Sequence, residues 1–161
     1  MAAEAACVDG RERRVVSTES GTAVPPRTAG GGRSALLVYT ALCWMLVALV
    51  IGQVFLAGVG VMVDADGIAA HRNAGRVIWA VSALLPVAAA AARLPRRRVL
   101  AAAAPVVLIL LQFVFVHLPT DGTVRFLRAL HTVNALAILW ETLRLAQDAR
   151  RRLSATRDVA A

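Results

Sequence analysis

The chain has no lysine. All 18 basic residues among its 161 are arginine. Aromatic side chains make up only 5%, with a single tyrosine. Cysteine is nearly absent: Cys7 lies in a polar N-terminal stretch and Cys43 inside the first apolar run. That spacing offers neither a disulfide framework nor a CxxC thiolate motif. Residues 1–34 hold no apolar core of the kind a secretory leader needs, so no signal peptide is expected there. Above all, charge is missing from long stretches. Ser34–Val63, Val77–Ala92 and Val99–Leu118 carry none. The whole chain is 58% apolar and 17% charged, where a soluble domain is about 45–50% and about 25%. This excludes an ordinary soluble fold and, over most of the chain, disorder. It also excludes nucleic-acid binding as the reason for the net charge of +8, because the arginines flank apolar runs instead of forming a soluble basic face.

What is present is a polytopic membrane protein. A bilayer core takes about 20 apolar residues per helix. The runs predict four spans, at about 36–60, 70–92, 99–118 and 126–146, in one membrane domain over 35–147. Asp64-Ala65-Asp66-Gly67 breaks the first span from the second, with Asp66 as a candidate N-cap. Pro95 and the turn Pro119-Thr120-Asp121-Gly122 separate the others. Residues 1–34, with Pro25-Pro26 and Gly30-Gly31-Gly32, read as a disordered tail, and 148–161 as a basic tail. Arginine fixes the orientation. The N-terminal tail, the loop with Arg93, Arg96, Arg97 and Arg98, and the C-terminal stretch share one side. Only Arg72, Arg76, Arg125 and Arg128 fall on the other. The positive-inside rule then places both termini and both tails in the cytoplasm. The expected fold is all-α: an antiparallel up-down-up-down bundle of four transmembrane helices, multi-pass in the cytoplasmic membrane, with the lipid bilayer as its first partner.

Polar groups in hydrocarbon are costly and need a reason. Counting out from the arginine clusters puts His71, His117 and His131 at one level near the outer face, with Gln53, Gln112 and Asn134 in the same half. Each histidine alone is an ordinary interfacial residue. Together, His71 and His131 stand on helices 2 and 4, which can face each other across a bundle. Two imidazoles can hold a haem iron axially and leave no open position for substrate. Gly75 and Ala135 follow these histidines by four residues, on the same helix faces. They give clearance for a flat macrocycle, or simply close helix packing. Arg72, Arg76, Arg125 and Arg128 lie within two turns of the histidines. They can pair with carboxylates of such a ligand, or snorkel to headgroups. The candidate cofactor site is therefore His71 and His131 on the iron, with Arg72, Arg76, Arg128 and Gly75 around it.

The runs Gln53-Val54-Phe55-Leu56-Ala57-Gly58, Ala70-His71-Arg72 with Gly75, the Gln112 span, and Ala129-Leu130-His131 with Asn134-Ala135-Leu136 resemble a family of four-span bacterial integral-membrane proteins of unknown function. A more distant resemblance is to one four-helix half of haem A synthase. That likeness implies haem b ligation near the outer face by His71, with Arg72 beside it, and by His131. Two features depart from it. The synthase has two such halves, and it carries a glutamate where this chain has Ile68. Cytochrome b561-type bundles are a looser analogy, since they hold two haems and need more histidines.

Three functions follow as expectations. The first is a haem b protein for electron transfer or redox sensing, with a redox partner. The second is a non-enzymatic membrane protein that packs against a partner protein, its polar cluster satisfying itself. The third is a small transporter, but Glu141, the one acid within the spans, reads better as an i,i+3 ion pair with Arg144. No Ser-His-Asp or metal-ligand spacing marks a hydrolase, and no catalytic residue is assigned.

Overall fold

A computed structural model describes residues 29–158, and the segments 1–28 and 159–161, which include most of the expected N-terminal tail, lie outside it. Four α-helices run in chain order: α1 Ala29–Met62, α2 Asp66–Ala91, α3 Arg96–Val116 and α4 Leu130–Asp158. A 3-10 segment, Thr123–Ala129, leads into α4, and there is no strand among the described residues. α1, α2 and α3 are long and apolar enough to cross a membrane. α4 carries Glu141, Arg144 and Asp148 along its length and falls outside that class.

Several boundaries differ from expectation. Residues 29–34, expected as the end of an N-terminal tail, lie within α1. Once a helix is nucleated, each added residue gains a hydrogen bond, so it extends through weak formers such as glycine. The stretch from 148 is also helical, as α4 continues to Asp158. Ala149 is buried and Leu153 packs on the core, while Arg152 Nε donates to Asp148 one turn back at 2.9 Å. That face is amphipathic, which its arginine content conceals. The start of the fourth helix is 3-10 and not α until Leu130, a usual device at helix N-termini. Gly122, at φ 64, makes the turn before it. Asp66 is not an N-cap. It is the first helical residue, and the Asp64 carboxylate accepts from its backbone N–H at 3.0 Å.

The helices form a ring in which α1 packs on α2 and α4, and α3 on α2 and α4, with the diagonals apart. Short links make neighbours antiparallel. At one end Arg98, near the start of α3, pairs with Asp148, late in α4, at 2.9 Å. Each helix turns one apolar stripe inward. On α1 it is Leu36, Tyr39, Cys43, Leu46 or Val47, and Val50, the 3-4 spacing of a bundle seam. On α2 it is Ile78, Val81, Leu85 and Ala89, on α3 Ala102, Pro105 and Ile109, and on α4 Ile138, Thr142, Leu145, Ala146 and Ala149. The buried hydroxyls of Thr40 and Thr142 donate to carbonyls four residues back in their own helices. The outer surface is apolar too: Phe55 is 69% exposed and Trp140 71%. A continuous apolar exterior suits lipid and not water.

Candidate functional site

The four stripes pack tightly toward the arginine-rich end and stop together at Val50, Ile78, Ile109 and Ile138. Beyond them the same helix faces enclose a cavity of ≈ 540 Å³. Binding pockets for small molecules usually measure about 300–1,000 Å³.

Its walls repeat. α1 contributes Val50, Gln53, Val54 and Ala57, and α3 contributes Ile109, Gln112, Phe113 and Val116. The two sets have the same offsets from their glutamines. α2 contributes His71, Arg72, Gly75 and Ile78, and α4 His131, Thr132, Ala135 and Ile138, again in one register from the histidines. The hydrogen bonds repeat as well. Gln53 Nε2 donates to the His71 carbonyl at 2.8 Å, 18 residues on, and Gln112 Nε2 to the His131 carbonyl at 2.9 Å, 19 residues on. Around the cavity the two helical hairpins, α1–α2 and α3–α4, thus match in register, each tied by a glutamine to the backbone of a histidine. Arg76 and His117 are the additional wall residues outside this pattern.

The structure brings the two histidines together. Their ring centres stand 6.2 Å apart with the planes inclined at 58°. The rings are held differently. His71 Nδ1 lies 3.0 Å from the Gln53 carbonyl. A carbonyl only accepts, so Nδ1 carries a proton, and in the neutral ring the free lone pair is that of Nε2. His131 Nδ1 is buried without a partner. The amides show the converse asymmetry. Gln112 Oε1 accepts from Asn134 Nδ2 at 2.5 Å, and Asn134 also donates to the Leu108 carbonyl at 2.8 Å. In the other hairpin Ala74 occupies the register of Asn134, and Gln53 Oε1 is left buried without a donor.

The other site candidates divide. Arg72 and Arg76 border the cavity, and Arg76 Nη1 also donates to Asn73 at 3.2 Å. Arg128 is half-buried and is not among the lining residues. The Arg125 guanidinium lies 4.9 Å over the Phe126 ring. Gly75 borders the cavity, and it also gives the Gln53 amide room, since a Cβ there would come within 3.3 Å of Nε2. His117 faces the same space while its Nδ1 donates to the Phe113 carbonyl at 2.7 Å. Glu141 and Arg144 form the i,i+3 pair, at 3.0 Å. Among the described residues no group of three or more histidine, cysteine, aspartate or glutamate side chains could hold a bare metal ion. A metal here would need most of its ligands from elsewhere.

Residues 53–120 match the model of a family of unknown function, DUF6220. The match covers the last ten residues of α1, all of α2 and α3, and the start of the turn after it. It includes Gln53, His71, Gln112 and His117 and stops short of His131. This agrees with the resemblance to an uncharacterised family. No curated protein and no solved structure matches the chain, and these comparisons show no likeness to haem A synthase.

Reading the sequence missed the paired glutamine clasps. Their signal is the near-equal spacing from Gln53 to His71 and from Gln112 to His131.

Proposed function

We propose that the protein is a four-span membrane bundle with both termini in the cytoplasm, and that it holds one haem b between His71 and His131. One observation carries the haem reading: two histidine rings, from diagonal helices, 6.2 Å apart beside an apolar cavity. An imidazole nitrogen binds a metal at about 2 Å, with the ring centre roughly 1 Å farther, so two rings on opposite sides of one ion stand about 6 Å apart. The porphyrin would supply the remaining ligands that this chain lacks. His71 would serve as a ligand, because its Nδ1 proton is anchored on a carbonyl, as ligating histidines usually are. Arg72 and Arg76 would take the carboxylates. The bound group would supply one-electron chemistry. The protein's part is to orient two imidazoles and keep the site dry, which suits electron transfer or redox sensing.

The glutamine clasps support a second reading, a structural membrane protein whose polar groups lock two hairpins together for a partner protein. An absorption spectrum separates the two. Detergent-purified protein from haem-replete cells should show a Soret band and a sharp reduced α-band, lost in His71→Ala. A featureless spectrum refutes haem binding. For the topology, a reporter that is active only in the cytoplasm should stay active when fused after residue 161.

A further inference from the structure

We infer that His131 is the exchangeable ligand of the pair, and that the cavity therefore admits a small neutral molecule such as carbon monoxide or nitric oxide at the position His131 yields. The inference rests on the haem reading above and adds an activity to it: reversible ligand exchange beside electron transfer.

The two histidines match in register but are unequally supported. His71 is fixed at two points. Its carbonyl accepts from Gln53 Nε2, and its ring Nδ1 donates to the Gln53 carbonyl at 3.0 Å. His131 has only the first of these, from Gln112 at 2.9 Å. Its ring Nδ1 is buried with no partner. For Nε2 to bind a metal, Nδ1 must carry the proton, and that N–H would be buried without an acceptor, an arrangement proteins avoid. A carbonyl or carboxylate behind a ligating imidazole raises its basicity and fixes the ring, and loss of such support typically weakens a site about 10–100-fold. His131 is the weaker hold. With haem bound, His131 would be the ligand to yield, the lone pair of the incoming molecule taking the place of that of the ring nitrogen with no electron transferred.

The test uses full-length, haem-loaded protein reduced with dithionite and exposed to carbon monoxide. The wild type should bind it slowly, with a shifted Soret band. His131→Ala should keep its Soret band and bind at least tenfold faster, and added imidazole should slow it again. A wild-type Soret band that carbon monoxide never shifts overturns the inference and leaves the haem reading intact. Faster binding in His71→Ala than in His131→Ala overturns it by naming the other ligand. No Soret band in any variant overturns both.

Discussion

Gln53 and His71 hold each other twice across the α1–α2 interface, the amide on the histidine carbonyl at 2.8 Å and the ring on the glutamine carbonyl at 3.0 Å. Only the first bond depends on the glutamine side chain. The second uses its backbone and survives substitution.

That division predicts unequal costs for two similar changes. Gln53→Leu removes one donated bond, and with it a buried oxygen that has no partner. The two effects oppose, and the net change should lie within about 0.5 kcal/mol. Gln112→Leu removes a bond to the His131 carbonyl and also takes an acceptor from Asn134. Interhelical bonds of this kind average about 0.6 and reach about 1.7 kcal/mol, so the cost should be about 1–1.7 kcal/mol. Ala74→Asn should restore the missing donor to Gln53 and gain about 0.6 kcal/mol. Denaturant titration in detergent micelles measures all three. Equal losses for the two leucine variants would show that the hairpins are not clasped as described.

Much of the helical layout was legible because charge is expelled from apolar spans, and the arginine clusters mark where helices end. The level of the histidines was legible for the same reason, as depth can be counted from an arginine. Other features were not. The extension of α4 to Asp158 depends on Ala149 and Leu153 meeting the core, which arginine-rich composition hides. Which arginines reach the cavity depends on helix rotation: Arg72 and Arg76 border it while Arg128 does not. The glutamine clasps pair residues on different helices, so their energy appears only after the hairpins close.

A second feature beyond the sequence is the contact of Gly60 with Gly67, where α1 and α2 meet at their shared end. A Cβ on Gly67 would lie 2.4 Å from the Gly60 nitrogen and 2.9 Å from the Val59 carbonyl carbon. These are backbone atoms, and the helices would have to separate. Gly67→Ala should cost about 1–3 kcal/mol, the usual penalty of overpacking. Gly52→Ala is the control, with nothing within 4 Å of the added atom. It should be neutral or stabilising, because alanine favours the helix. Thermal unfolding in micelles should rank Gly67→Ala well below Gly52→Ala. Similar midpoints would mean the hairpin is looser than this contact requires.

At the opposite end, Asp148 Oδ2 accepts from Arg98 and Arg152, both at 2.9 Å. It ties the start of α3 to α4. The side chains are partly exposed, so the pairs are screened and each contributes at most about 1 kcal/mol. Asp148→Asn should destabilise the bundle by about 0.5–1 kcal/mol at low salt. The difference from wild type should shrink at 1 M salt, where screening acts within about 3 Å. A loss independent of salt would point to packing around Asp148 instead of charge.

The end of α2 offers a stabilising change. Leu94 N–H donates to the Ala89 carbonyl and Arg93 N–H to the Ala90 carbonyl, the two bonds of a Schellman turn. The position between helix and turn needs left-handed backbone. It is held by Arg93 at φ 54, the one non-glycine residue with positive φ among those described. A side chain there costs about 1–2 kcal/mol relative to the right-handed region, and glycine avoids that clash. Glycine also loses more freedom on folding, which returns part of the gain. Arg93→Gly should therefore raise stability by about 0.5–1 kcal/mol, while Arg93→Ala, which keeps the Cβ, should not. Arg96, Arg97 and Arg98 remain in the same loop, so the positive-inside signal persists and insertion should be unchanged. If Arg93→Ala stabilises as much as Arg93→Gly, charge repulsion within the arginine cluster is the cause, and backbone strain at Arg93 is not.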